Sequence, residues 1–142
     1  MPPRKRTRNT GQRRAILDAI RASGGHPTAA EVFTRVRERG GYPRLSLATV
    51  YRALDALVEQ GDILEMRVGG VGRYDGGVTP HHHVVCRTCG HVTDVPAALL
   101  PPDLMNDLGR ASGYRVDPGQ PIQFVGQCSP CLGEAASSDC AD

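Results

Sequence analysis

Apolar residues recur every three or four positions in three successive segments of the N-terminal half, which predicts three amphipathic helices. The first spans residues 10–22 and ends at a Gly-Gly-His-Pro break. The second begins after Thr28, because Thr28 and Glu31 form a capping-box pattern, and two glycines end it. The third follows Ser46, a good N-cap, and runs to Gly61. Its predicted buried stripe consists of Leu47, Val50, Leu54, Leu57 and Val58.

The segment after the third helix alternates around Gly69-Gly70, which predicts a β-hairpin with strands at residues 63–68 and 71–74. Three helices followed by a hairpin form a winged helix-turn-helix, whose third helix enters the major groove of DNA. The helix face opposite the buried stripe presents the candidate DNA contacts Thr49, Tyr51 and Arg52. A protein-docking module built from the same elements is the alternative.

Charge is distributed unequally along the chain, and this favours DNA over a protein partner. The formal net charge is +2, but residues 1–75 hold fourteen Lys/Arg and eight Asp/Glu, whereas residues 76–142 hold three and seven. A basic half indicates an anionic partner. Six basic residues precede the first acid, namely Arg4, Lys5, Arg6, Arg8, Arg13 and Arg14. Arg13 and Arg14 therefore join the candidate DNA contacts.

Two Cys-x-x-Cys pairs, at residues 86–89 and 128–131, are the strongest chemical motif. Four thiolates suit a tetrahedral zinc site, which is structural because it leaves no coordination position open. Two disulfides are the alternative, but the chain shows no N-terminal apolar signal segment, and paired thiols in an intracellular protein are more often metal ligands. The predicted zinc ligands are Cys86, Cys89, Cys128 and Cys131. Cys140 is expected to be an exposed bystander.

A second metal site is predicted just before the first cysteine pair. His81 and His83 share one face of a predicted strand, and Asp94 lies on the strand that would pair with it. Asp75 and His26 complete the candidate set from the N-terminal half. Because the set draws on both halves, its occupancy would select one conformation of the protein. Simpler roles stay open: His26 as a cap of the second helix, Asp75 as a partner of Arg73, and His82 and His91 as exposed polar residues.

Several segments together resemble the ferric uptake regulator (Fur) superfamily, from about Thr10 to Cys131. These segments are HPTAAEVF at 26–33, SLATVYRALDAL at 46–57, RYD at 73–75, HHHVVCRTCGHVTDV at 81–95 and CSPC at 128–131. The resemblance implies a homodimeric, metal-dependent transcriptional repressor of the α+β class. We expect a winged-helix domain with a basic tail at residues 1–75, a small α/β dimerisation and metal-binding domain at 76–135, and a tail at 136–142. A helix at residues 97–111 and strands at 114–116 and 122–126 are expected to present an apolar face to the second subunit.

The acids Asp75 and Asp94 make the chain most similar to the peroxide-responsive branch of the superfamily. That similarity implies a regulatory Fe²⁺ or Mn²⁺ ion, which the all-nitrogen-and-oxygen ligand set also suits. It further implies inactivation by peroxide through oxidation of His26 or His81. The alternative is a sensor of iron, manganese or nickel availability that does not respond to peroxide.

Two other classes of protein are disfavoured by the sequence. A hydrolytic metalloenzyme needs a general base beside its metal, and once five ligands are assigned no carboxylate is left near the histidine run. No apolar run approaches the ~20 residues of a membrane span. The expected protein is a cytoplasmic regulator without enzymatic activity.

Overall fold

The computed structural model describes residues 10–77, 79–117 and 119–133. The chain divides into two compact units, with the boundary between Val78 and Thr79. The basic residues at positions 4–8, the C-terminal tail and Cys140 lie outside the described residues. Among the described helices, none combines the length and the hydropathy needed to cross a bilayer.

The first unit contains three helices and a hairpin, as the hydrophobic pattern predicts. The helices are α1 (Thr10–Ala22), α2 (Ala29–Arg39) and α3 (Leu47–Glu59), and the antiparallel hairpin pairs β1 (Leu64–Val68) with β2 (Val71–Asp75). Gly69 and Gly70 have φ values of 58° and 80°. Two consecutive positive φ angles are what a two-residue turn with the twist of a hairpin requires.

Side-chain caps fix where α2 and α3 begin. The Thr28 hydroxyl accepts from the Glu31 amide at 3.2 Å, and the Glu31 carboxylate accepts from the Thr28 amide at 3.0 Å. The Ser46 hydroxyl accepts from the Thr49 amide at 3.2 Å. Each such cap contributes about 1 kcal/mol. The two helices therefore begin where the capping patterns of the sequence predict.

The core of the first unit lies where the three helices meet β2. Its buried members on α3 are Val50, Ala53, Leu54 and Leu57. Leu47 was expected among them, but its side chain is 39% exposed, because it occupies the first turn of α3, one turn before the first buried position. Tyr74 extends the core into β2, since it is 3% exposed and packs in the same cluster as the helices.

The second unit is built on a three-stranded sheet. Its elements are β3 (His81–Cys86), β4 (Val92–Pro96), α4 (Leu104–Ser112), β5 (Gln123–Gly126) and the one-turn α5 (Ser129–Leu132). The strand order is β4-β3-β5, with β3 antiparallel to β4 and parallel to β5. The central position therefore belongs to β3, the strand that carries the histidine run and the first cysteine of the two Cys-x-x-Cys pairs.

Three expectations for the second unit were wrong. The helix expected at residues 97–111 is a short 3-10 turn at Ala97–Leu99 followed by α4, because two consecutive prolines at 101 and 102 cannot continue a helix. Residues 114–116 do not form a strand. His82 is buried rather than exposed, and its Nδ1 accepts a hydrogen bond from the Ile122 amide at 2.9 Å.

Candidate metal centres

The four cysteines of the two Cys-x-x-Cys pairs come together at one end of the second unit's sheet. Cys86 is the last residue of β3, and the turn after it closes with a hydrogen bond from the Gly90 amide to the Cys86 carbonyl at 2.9 Å. Cys128 follows β5 as the N-cap of α5, which carries Cys131. Since β5 lies beside β3 in parallel, both strands deliver their cysteines to the same edge.

The sulfur positions fit a tetrahedral zinc ion. The four Sγ atoms lie within 4.8 Å of one another, and those of Cys89 and Cys128 are 3.7 Å apart. Four sulfurs ~2.3 Å from one zinc ion would be ~3.8 Å apart. The observed separation is far beyond the ~2.05 Å of a disulfide bond. The cluster therefore fits a structural zinc site, and the disulfide alternative is excluded for these four residues.

The backbone around Cys86 favours the thiolate that a metal requires. The amide of Cys128 approaches the Cys86 Sγ at 3.4 Å, and the amide of Cys89 approaches it at 3.5 Å. These two N–H groups, with that of Cys128 contributing most, lower the pKa of the Cys86 thiol to about 5. A thiolate held this way is ready to bind metal at neutral pH.

Gln127 joins the two cysteine turns, a role that the sequence analysis missed. Its side-chain amide donates to the Thr88 hydroxyl at 3.2 Å and to the Cys131 carbonyl at 3.0 Å. Its oxygen accepts from the Arg87 guanidinium at 3.2 Å. Because Thr88 lies inside the first pair and Cys131 ends the second, one side chain spans both. The sequence signal that could have indicated this role is its position directly before Cys128.

His81, His83 and Asp94 form a second cluster on the same sheet. His83 lies opposite Asp94 in the β3–β4 pairing. The Nε2 atoms of His81 and His83 are 3.0 Å apart, and they lie 3.7 and 3.4 Å from Asp94 Oδ1. Ligands ~2.1 Å from one ion stand about 3.0 to 3.4 Å apart. The spacings of 3.0 and 3.4 Å from His83 Nε2 fall in that range, whereas the 3.7 Å between His81 Nε2 and Asp94 Oδ1 is longer, so the cluster is close to the geometry of shared cation coordination.

The orientation of the His81 ring is set by the backbone. Its Nδ1 lies 2.6 Å from the Thr79 carbonyl, an acceptor. Nδ1 must therefore carry the proton, which leaves the lone pair of Nε2 directed towards the cluster. This is the arrangement commonly seen for metal-binding histidines.

The first unit pairs His26 with Asp75. The His26 Nε2 lies 3.4 Å from Asp75 Oδ2, and both side chains are buried. Asp75 Oδ1 accepts from the Gly77 amide at 2.8 Å. Thr28, rather than His26, caps α2. Arg73 donates to the His26 backbone carbonyl at 3.1 Å.

The candidate DNA contacts occupy the first unit with different exposures. Tyr51 is 49% exposed, Arg52 is exposed beside it, and Thr49 is half-buried at the start of α3. On α1, Arg14 is exposed and lies 3.7 Å from Asp18. Arg13 is half-buried. Its Nε is buried and has no hydrogen-bond partner among the described residues.

Comparison with known proteins places this geometry in one family. The sequence model of the ferric uptake regulator family matches residues 4–102. The peroxide operon regulator of Bacillus subtilis is 32% identical over 126 residues, which cover 87% of this chain and 83% of that protein. The solved Campylobacter jejuni peroxide stress regulator is 30% identical with a TM-score of 0.70, over 86% of this chain and 90% of that one.

A zinc uptake regulator solved with zinc and DNA is 27% identical to this chain, with a TM-score of 0.61, over 88% of this chain and 83% of that one. The fold of this chain, with helices and a hairpin followed by a small sheet bearing a cysteine cluster, agrees with these matches. The chain belongs to the ferric uptake regulator family.

Proposed function

We propose that this protein is a metal-dependent DNA-binding repressor that holds Fe²⁺ or Mn²⁺ and loses DNA when peroxide oxidises a ligand histidine. The observation that carries the proposal is the convergence of His81 Nε2, His83 Nε2 and Asp94 Oδ1, 3.0 to 3.7 Å apart. The His26–Asp75 pair supplies two further ligands of the same chemical type. One regulatory ion is proposed to take all five.

The proposed ligands favour a metal of intermediate hardness. Three imidazoles and two carboxylates contain no sulfur, whereas the chain's clustered thiolates are already used in the zinc site. Imidazole is a suitable ligand for iron and carboxylate for manganese, whereas ions that prefer thiolates would find no sulfur in this set. Similarity to peroxide-responsive regulators supports the same choice. Zinc at the cysteine cluster is proposed to be structural and to take no part in sensing.

Bound Fe²⁺ would activate hydrogen peroxide beside the ligands, so that one peroxide oxygen would be inserted into an imidazole C–H bond and the other would leave as water. His26 and His81 are the proposed targets. Addition of one oxygen atom to either imidazole makes it a poor ligand, so the five-residue set loses a member. The chain's part is to hold each ring with its nitrogen presented, as the Thr79 carbonyl does for His81.

DNA binding is proposed to use α3 together with the basic α1. Tyr51 and Arg52 project from α3 into solvent, where a recognition helix contacts bases and phosphates. Thr49, Arg13 and Arg14 are proposed to contribute contacts. A homodimer would present two such helices, and the exposed Leu108, Phe124 and Val125 of the second unit support a subunit interface there. The cytoplasm is the proposed location, because DNA is the proposed partner.

The test is to load the protein with Fe²⁺ without oxygen and to add micromolar hydrogen peroxide. A duplex selected from a random pool by the metal-loaded protein serves as the probe. We expect release of the duplex and a one-oxygen mass gain on peptides containing His26 or His81. The Mn²⁺-loaded protein is the matched control and should keep both its DNA and its unmodified peptides.

Two results would change the proposal. Retention of DNA with unmodified histidines in the Fe²⁺ form would leave a metal-availability sensor that does not detect peroxide. DNA affinity that is the same with and without Fe²⁺ or Mn²⁺ would reject metal-dependent repression itself.

A further inference from the structure

Arg73 lies on β2, in the hairpin of β1 and β2 that forms the wing, but its side chain reaches the loop that carries His26. Its guanidinium donates to the His26 carbonyl at 3.1 Å across 47 positions of sequence. Its Nε is buried and has no hydrogen-bond partner in the described parts of the chain. The side chain therefore reaches the His26 loop through its terminal nitrogen.

The backbone beside Arg73 forms a second connection to the same loop. The Tyr74 amide donates to the Pro27 carbonyl at 2.9 Å, and Thr28 forms an isolated bridge with Arg73. The three residues after the Gly-Gly break are therefore attached to β2 through backbone carbonyls and one isolated bridge. Tyr74 itself is 3% exposed and packs against the helices, so β2 cannot shift without disturbing the core.

These connections bring the ring of His26 to Asp75. Asp75 is the last residue of β2, two positions after Arg73. The attachment holds the loop that carries His26 beside β2, in addition to the packing of α2 and Tyr74 in the same core. With it, His26 Nε2 lies 3.4 Å from Asp75 Oδ2. Arg73 contributes no atom to this pair and acts on it through the His26 backbone.

We propose that Arg73 is a positioning residue for the regulatory metal: it holds the His26 loop on β2, so metal binding at His26 and Asp75 and ordering of the wing strand favour each other. This inference rests on the proposed function, since it assigns these two residues to the regulatory ion. Thermodynamic linkage makes the effect reciprocal: if an ordered β2 strand strengthens metal binding, then metal binding stabilises the ordered strand by the same factor.

The test compares wild type with Arg73→Met, which keeps the length and apolar stem but removes the donors. Mn²⁺ is the probe, and its free concentration is followed by electron paramagnetic resonance without DNA. We expect Arg73→Met to bind Mn²⁺ about 10- to 100-fold more weakly, the loss usual for residues that orient metal ligands. At saturating Mn²⁺ its affinity for the selected duplex should approach that of wild type.

Hydrogen exchange at the Tyr74 amide provides a second readout that needs no DNA. In wild type the amide should exchange more slowly when Mn²⁺ is added. Without Mn²⁺, the Tyr74 amide of Arg73→Met should exchange faster than that of wild type. At the Mn²⁺ concentration that saturates wild type, the amide should be less protected in Arg73→Met than in wild type. Arg67→Met is the matched control, because Arg67 is an exposed arginine of the same hairpin that also donates to a backbone carbonyl, that of Gly70, at 2.9 Å. It should leave Mn²⁺ affinity and Tyr74 exchange unchanged.

Wild-type Mn²⁺ affinity in Arg73→Met would overturn the inference, and so would an equal loss in Arg67→Met. A loss of thermal stability with unchanged Mn²⁺ affinity would assign Arg73 a purely structural role, which also overturns it. If Arg73→Met fails to fold, Arg73→Leu replaces it, because leucine also lacks the donors, and wild-type Mn²⁺ affinity there counts against the inference. The proposed function fails separately, if Mn²⁺ does not strengthen DNA binding by wild-type protein.

Discussion

Cys86 combines two tasks in one side chain, because it ends the central strand β3 and accepts two amide N–H groups at its sulfur. The amides hold its pKa at about 5, well below that of an ordinary thiol. The thiolate is therefore available to a metal throughout the neutral range, and it would be lost only as pH falls towards that value. The other three cysteines complete the cluster around it.

Replacing this sulfur tests whether zinc stabilises the second unit. Binding of structural zinc contributes ~10 to 16 kcal/mol in small zinc domains, as much as the whole ~5 to 15 kcal/mol stability of a typical domain. We expect Cys86→Ser to lose its zinc by elemental analysis and to lose hydrogen-exchange protection in β3, while α3 keeps its protection. Cys140→Ser is the control and should retain zinc. A Cys86→Ser protein with a full zinc equivalent and a protected β3 would contradict the structural role.

Sequence reasoning identified residues whose chemistry is visible in their type and spacing. The four cysteines and the His-x-His pair are of this kind, and the structure brings the members of each group together. Sequence reasoning could not identify Gln127 or Arg73, because their roles depend on which carbonyl each side chain reaches. His82 was misjudged for a related reason. The amide of Ile122, forty positions away, makes its burial acceptable.

At the scale of elements, local signals fixed most boundaries of the first unit. Thr28 and Ser46 start α2 and α3 where the capping patterns indicate, and the two-glycine turn closes the hairpin. Prediction was poorer in the second unit. The break before α4 follows from Pro101 and Pro102, a local signal that the expectation of one helix over residues 97–111 does not use. The parallel pairing of β5 with β3 depends on contacts about forty residues apart, which no local pattern encodes.

The two cysteine turns belong to different strands, and Gln127 is the side chain that connects them. We expect Gln127→Ala to leave the fold intact but to weaken zinc binding about 10-fold, the lower end of the effect of outer-shell partners. Competition with a chromophoric chelator measures this as faster and more complete zinc transfer. Gln120→Ala, at an exposed glutamine of the preceding loop, is the matched control. Equal zinc transfer from the two variants would show that the hydrogen bonds of Gln127 do not support the site.

At the scale of the molecule, the proposed regulatory ligands are divided between the two compact units. His26 and Asp75 belong to the first, and His81, His83 and Asp94 belong to the second. A regulator of this design gains its response only if both groups bind the same ion. Two independent weak sites would give a different pattern of mutational effects, which makes the proposal open to a direct test.

A double-mutant cycle distinguishes these cases. Asp75→Ala and Asp94→Ala should each reduce Mn²⁺-dependent affinity for the selected duplex about 5- to 150-fold, the usual range for coupling between two sites. Both should keep their zinc and the affinity that wild-type protein shows without Mn²⁺. The double variant should be no weaker than the weaker single variant, because loss of either acid already removes the shared ion's effect. Asp107→Ala, at an exposed acid of the second unit, is the control and should bind the duplex as wild type does. If the binding free energies lost in the two single variants add within about 0.5 kcal/mol in the double variant, the two acids belong to separate sites.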